Sequence, residues 1–328
     1  GVFIVTPSKI LVSMTGIDYL VWVAIIIAYY FVATVLPVDK IIAKIYPVFG
    51  AALIFMALSM FGVILFGGYD VPELTSFENL HSKAEALPII PTLFISIACG
   101  AISGFHATQS PLMARCMTDE RQSRPIFFGA MISESVIALI WAAVAMAFFG
   151  GVEGLNSAMA DMNNDAGTAV STITITTLGT VGSILALLGM VAAPITSGDT
   201  AFRSARLIIA DIFHIEQRTK WKRLVICVPL FAVGVVLTMV DFDVVWRYFA
   251  WTNQALASVV LWCIVVYLHR EKANYWVALI PAVFMTYICS SFVFVSNQFV
   301  GMGATPMAYV WGGVLTLVLT GVMVWRLL

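Results

Sequence analysis

The sequence predicts an all-α bundle of about nine membrane-spanning helices, and three observations carry that prediction. Hydrophobic residues fill 61% of the 328 positions and charged ones only 11%, where an ordinary soluble domain carries ~25% charged residues. About 200 apolar side chains exceed what one soluble core can bury, so most must face lipid or other spans. Basic residues, finally, collect in alternate connections between the apolar segments, the pattern of a chain that crosses a bilayer repeatedly. Mean hydropathy is +0.98. A net charge of −1 leaves no basic face for nucleic acid, and a composition this apolar is not that of a disordered chain.

In chain order, windows of about 19 residues mark apolar segments near 17–36, 46–66, 89–110, 126–149, 170–194, 224–240, 244–268, 275–295 and 307–325. Each can cross ~30 Å of hydrocarbon. Residues 1–16 read as a loop or the end of a span. They lack the basic n-region, apolar stretch and cleavage site of a secretory signal, so the chain reads as the later part of a longer protein, 1–328 being one transmembrane domain. The third and fifth segments carry internal helix breakers.

Orientation follows from lysine and arginine. One set of alternate connections holds Lys40 and Lys44, then Arg115, Arg121 and Arg124, then the basic residues from Arg203 to Arg223, then Arg270 and Lys272, then Arg326; the other holds only Lys9, Lys83 and Arg247. The first set is therefore expected on the cytoplasmic side, with the C-terminus inside. Acidic residues such as Asp70, Glu85, Glu153 and Asp165 gather on the other side. The long basic connection 203–223 reads as a solvated inner loop. Five cysteines, none in a C-x-x-C pair, point to small apolar side chains rather than a disulfide framework or zinc site.

Polar groups inside spans are costly, so those that persist tend to line a pathway. The run 97–111 contains Gly100, Ser103, Gly104, His106, Gln109, Ser110 and Pro111. Glycines spaced by four suit a tight helix crossing; Gly104, His106 and Pro111 together also weaken the helix, and unwound backbone at membrane depth is tolerated where it lines a cavity. Glu134 lies about eight residues into its span, ~12 Å deep. A carboxylate there is expensive to keep charged, which suits a proton carrier, or else a protonated group bonded to a neighbouring helix.

The run 193–206 contains Pro194, Thr196, Ser197, Gly198, Asp199 and Thr200. Pro194 and Gly198 are expected to break the helix, and the hydroxyls and Asp199 to cap a new one over about 201–213. Asp199 then faces a pathway, or is a cytoplasmic cap; Arg203 and Arg206, one turn on, are placed to pair with it. Asn253 and Gln254 follow Trp246, Arg247, Tyr248 and Trp251, an interfacial belt. These two amides either glue helices together or touch substrate.

Two broken helices with polar tips match how secondary transporters build sites, half-helix N-termini facing a carboxylate and unwound carbonyls holding cations. No phosphate-binding loop, zinc-protease motif, nucleophile elbow or haem motif occurs, so neither an ATP-driven pump nor an enzyme is expected, and no cofactor. A membrane sensor or assembly partner whose polar groups are structural is the alternative.

At these residues the sequence resembles the carbon starvation (CstA) family of bacterial membrane proteins. The resemblance rests on Ile97-Ala-Cys-Gly-Ala-Ile-Ser-Gly-Phe-His-Ala-Thr-Gln-Ser, Pro111-Leu-Met-Ala-Arg-Cys-Met, Ile195-Thr-Ser-Gly-Asp-Thr-Ala-Phe-Arg-Ser-Ala-Arg and Phe31-Val-Ala-Thr-Val-Leu-Pro. It implies a plasma-membrane transporter induced when carbon runs short, linked to uptake of pyruvate with protons or of peptides. It also implies a LeuT-like core of two inverted five-helix repeats. The family's N-terminal helices are expected to precede this chain, since they have no counterpart in it. The expectation is therefore secondary active uptake of a small carboxylate or peptide with protons, or with sodium. Glu134 would exchange the proton, and the two breaks would bind the carboxylate.

Overall fold

The computed structural model describes residues 1–35, 39–73, 77–101, 103–217 and 219–327, and every regular element among them is helical. The helices are α1 (Val2–Thr15), α2 (Tyr19–Val35), α3 (Asp39–Phe66), α4 (Phe94–Ala101), α5 (Phe105–Cys116), α6 (Ala130–Phe148), α7 (Val152–Asp161), α8 (Ala166–Ile212), α9 (Lys220–Met239), α10 (Phe242–Arg270), α11 (Trp276–Val295) and α12 (Pro306–Leu327). Short π-helical turns at Ile89–Leu93 and Arg124–Gly129 lead into α4 and α6.

Among the described residues seven helical runs are long and apolar enough to cross a bilayer: Pro47–Phe66, Glu120–Phe148, Ala166–Ile212, Trp221–Met239, Val244–Arg270, Trp276–Val295 and Pro306–Arg326. Seven of the nine expected spans thus have a counterpart. The other two differ. The segment expected over 17–36 is α2, a 17-residue helix. The segment expected over 89–110 is divided into a π-turn, α4 and α5: Pro88 and Pro91 lie at the π-turn, and Gly104 precedes α5, which runs on through Pro111. Residues 2–15 are helical, not a loop: Ile4, Val5 and Ile10 are buried, and the Ser8 hydroxyl donates to the Ile4 carbonyl at 2.7 Å.

The chain divides into two compact units, Gly1–Thr75 with Ile137–Val245, and Ser76–Val136 with Trp246–Leu328. In the first, α8 is the axis on which α1, α2, α3 and α9 pack. In lipid there is little hydrophobic drive between helices, so close approach and hydrogen bonds must hold them. Gly189 shows this: a Cβ there would stand 2.8 Å from the Ala52 carbonyl of α3. Tyr30 of α2, fully buried among Ile4, Val23, Ile26 and Phe231, fills the centre, and Phe202 of α8 stacks on Phe231 of α9 with centroids 4.2 Å apart.

In the second unit α11 packs along α12, with Gly312 leaving room for Ser291. α10 meets α11 through large side chains. Trp262 and Val265 pack on Ala278 and Ala282, and both Trp251 and Trp262 donate indole N–H bonds to α11, to the Cys289 carbonyl (3.0 Å) and the Thr286 hydroxyl (3.1 Å).

The break expected at Pro194–Gly198 is absent. α8 runs through both residues and is interrupted instead at Gly179, where φ 65° and ψ −175° are non-helical. Proline weakens a helix without forbidding it, whereas that pair of angles is open to glycine almost alone. The separate helix expected over 201–213 is therefore the last part of α8. The expected inner loop 203–223 shrinks to the residues between Ile212 and Lys220, with Ser204 and Arg206 buried.

Candidate functional site

In the second unit the chain interruption between α4 and α5 is caught by α10. The Gly104 N–H donates to the Asn253 carbonyl at 3.1 Å. The Asn253 side-chain amide donates to the Ser103 hydroxyl at 2.9 Å, and that hydroxyl lies 3.2 Å from the amide oxygen. Ser103 and Asn253 are buried, and Gln254 is fully so. Only glycine fits at 104, since a Cβ would run into the Asn253 carbonyl and come within 2.7 Å of Leu256. A helix start carries N–H groups its own turns do not satisfy. Here those of His106 and Ala107 bond back to the Ser103 and Gly104 carbonyls at 3.1 and 3.0 Å, closing a tight first turn. Asn253 therefore acts as helix glue at this point. The Gln254 carbonyl accepts from Ser258 at 3.0 Å. Gly100 falls in the last turn of α4, and its surroundings lie outside the described side chains.

From α5, His106 reaches Glu134 of α6, with Nε2 and Oε2 3.5 Å apart. Neither side chain is sealed: 32% of His106 and 51% of Glu134 is exposed. Gln109 and Ser110, both half-buried, lie three and four residues beyond His106 and so share its helix face. An imidazole beside a carboxylate can hold one proton between them or form an ion pair when both are charged. The second unit therefore brings together Ser103, Gly104, His106, Glu134 and Asn253 of the expected residues.

The remaining candidates lie in the first unit, on unbroken helix. The Thr196 and Thr200 hydroxyls donate to carbonyls of α8 itself, Ala193 at 2.9 Å and Thr196 at 3.0 Å, so they cap nothing. Ser197 is half-buried. Gly198 is small because Tyr30 lies against it, where a Cβ would overlap the tyrosine ring and hydroxyl. That hydroxyl reaches the carbonyls of Phe3 (2.8 Å) and Pro194 (3.2 Å). Asp199, 2% exposed, is mid-helix rather than a cap, and Arg203 Nη2 stands 3.6 Å from its carboxylate, as the one-turn spacing suggested. Arg203 also reaches the Ala33 carbonyl at 3.5 Å. This region ties α8 to α1 and α2. Sequence reasoning missed Tyr30, although a tyrosine hydroxyl in mid-span must find a partner, and it missed the two indoles that fasten α10 to α11.

Residues 3–188, more than half of the chain, match the family described as carbon starvation protein CstA. The chain is 27% identical to the peptide transporter CstA of Escherichia coli K12 over 85% of its own length and 49% of the relative's. It is 33% identical to the pyruvate/proton symporter BtsT of the same organism, over 35% of this chain and 16% of that one. An uncharacterized membrane protein of Haemophilus influenzae is 46% identical over 42% of each chain. The chain thus spans about half the length, or less, of these three relatives. No solved structure matches it. With its spans, its interrupted helix and this match, the chain belongs to the carbon starvation protein CstA family.

Proposed function

We propose that this chain forms part of a secondary active transporter of the bacterial inner membrane. It takes up a small carboxylate such as pyruvate, or peptides, during carbon starvation, with inward movement of protons. The observation that carries the reading is the His106–Glu134 pair at 3.5 Å, beside an interrupted helix. A titratable pair next to main-chain N–H and hydroxyl groups is what coupling a proton to a carboxylate requires. The family's transporter relatives support it: one is named a peptide transporter and another a pyruvate/proton symporter. In this reading Glu134 exchanges the proton and His106 holds its charge. The α4–α5 interruption meets the substrate carboxylate when the Gly104 N–H leaves the Asn253 carbonyl, and Asn253 and Gln254 position the helices there. The fold is LeuT-like, with the C-terminus cytoplasmic.

The test is uptake of radiolabelled pyruvate by the full-length protein in liposomes, with and without an inwardly directed proton gradient. Wild type should take up pyruvate only with the gradient, and Glu134→Gln should fall to the no-gradient level. Equal uptake driven by a sodium gradient would replace the proton with sodium. Block by excess tripeptide would make the substrate a peptide. Uptake in Glu134→Gln with the wild-type pH dependence would remove Glu134 from the role.

A further inference from the structure

Helix α10 presents two faces, and one of them meets the α4–α5 interruption. Asn253 and Ala257 lie toward Gly104. Trp251, Ala255, Ser258, Val259 and Trp262 fall at spacings of four, three, one and three, a single stripe. At 3.6 residues per turn Trp251 is displaced about 200° around the helix from Asn253. This stripe borders a cavity of ≈ 250 Å³ between α10, α11 and α12.

The cavity exists because the helices are propped apart. Trp251 and Trp262, about 16 Å apart along α10, each fasten by an indole N–H to α11. Between these struts the side chains are small: Ala255 and Ser258 on α10, Cys289 and Ser290 on α11. Small residues between two large ones leave a gap that Leu315, Leu319 and Met323 of α12 line from the third side.

Its chemistry is neutral. The lining includes no Asp, Glu, Lys, Arg or His among the described residues. Most polar groups of the walls are turned to the helices: Ser258 donates to the Gln254 carbonyl, Thr286 donates to the Ala282 carbonyl at 2.7 Å, and both indoles are bonded. Ser290 adds one buried hydroxyl. A substrate carboxylate would find no cation here. An apolar cavity stays dry, and one of about 150 Å³ already accepts benzene; this one is larger. Its rim is apolar as well, since Val259 and Leu319 both line it and are 51% and 41% exposed. Both rim side chains are of the kind that lipid tails accept.

We propose that this cavity is a binding site for one acyl chain of a membrane phospholipid, which enters past Val259 and Leu319 and supports α10 from behind its Asn253 face. The site is independent of what the protein transports.

The test uses the full-length protein in phosphatidylcholine vesicles doped with a phosphatidylcholine that carries a diazirine at the end of one acyl chain. After irradiation, adducts should map to the walls within 251–262 and 286–293. At one fixed doped fraction, labelling of the walls should exceed that of Leu317, 74% exposed, because a held chain end stays beside the walls longer than a passing one does. Ala255→Leu and Ser290→Leu each fill the space and should cut wall labelling about tenfold, the effect of ~1.4 kcal/mol, leaving Leu317 unchanged. Wall labelling in wild type no greater than that of Leu317 overturns the site without recourse to either variant. So does labelling unaffected by both substitutions, or protection by trileucine, which would make the occupant a peptide side chain.

Discussion

Tyr30 determines where α8 can run. Its hydroxyl reaches carbonyls of α1 and α8 and its ring lies against Gly198, so three helices depend on one side chain. Adding a methyl group at 198 overpacks a filled site, which costs about 1–3 kcal/mol. Gly198→Ala should therefore lower the thermal unfolding temperature of the detergent-solubilised protein. Tyr30→Leu in the same chain should restore part of the loss, because residues in contact do not act additively. Full additivity of the two substitutions would mean that they do not touch. None of this was legible in the sequence. Pro-Ile-Thr-Ser-Gly-Asp reads locally as a helix end, and only a partner some 160 residues away turns Gly198 into a spacer inside a continuous helix. Asp199 and Arg203 were legible as a pair, since one-turn spacing needs no tertiary information.

At the level of elements, the sequence correctly announced an interruption in the fifth apolar segment and put it in the wrong place. Proline is a visible signal with a calculable penalty, and glycine is permissive rather than directive. The helix keeps Pro194 and yields at Gly179. The two positions should respond in opposite ways. Gly179→Ala forces a side chain into left-handed backbone and should destabilise by about 1–3 kcal/mol. Pro194→Ala returns an N–H to the helix and should be neutral or stabilising, by up to ~3 kcal/mol. Thermal unfolding of both variants in one detergent decides it. Equal losses would mean that the interruption is not confined to residue 179. The α4–α5 interruption was legible from Gly104, although α5 runs on through the Pro111 that also marked it; its docking on Asn253 joins segments 150 residues apart.

Across the whole molecule, composition and hydropathy carried seven of the nine expected spans among the described residues, because the bilayer imposes length and apolarity on any span. α2 and the divided 89–116 run escaped that rule, being too short or too interrupted. The charge pattern makes a prediction that spans the full length of α8. Asn164 and His214 flank this helix and are exposed. In a cysteine-free background, Asn164→Cys should react with a membrane-impermeant maleimide on intact cells. His214→Cys should react only after the membrane is opened. Labelling of both from outside would show that α8 does not cross once, and would withdraw the inside-positive orientation.

The hold that Asn253 keeps on Ser103 and Gly104 makes the helix interruption a latch rather than a swivel. Three short polar contacts at a net value of about 1 kcal/mol each would have to part together. An unlatched state would then be populated by roughly one molecule in a hundred, rare at rest yet within reach of a ligand that prefers it by a few kcal/mol.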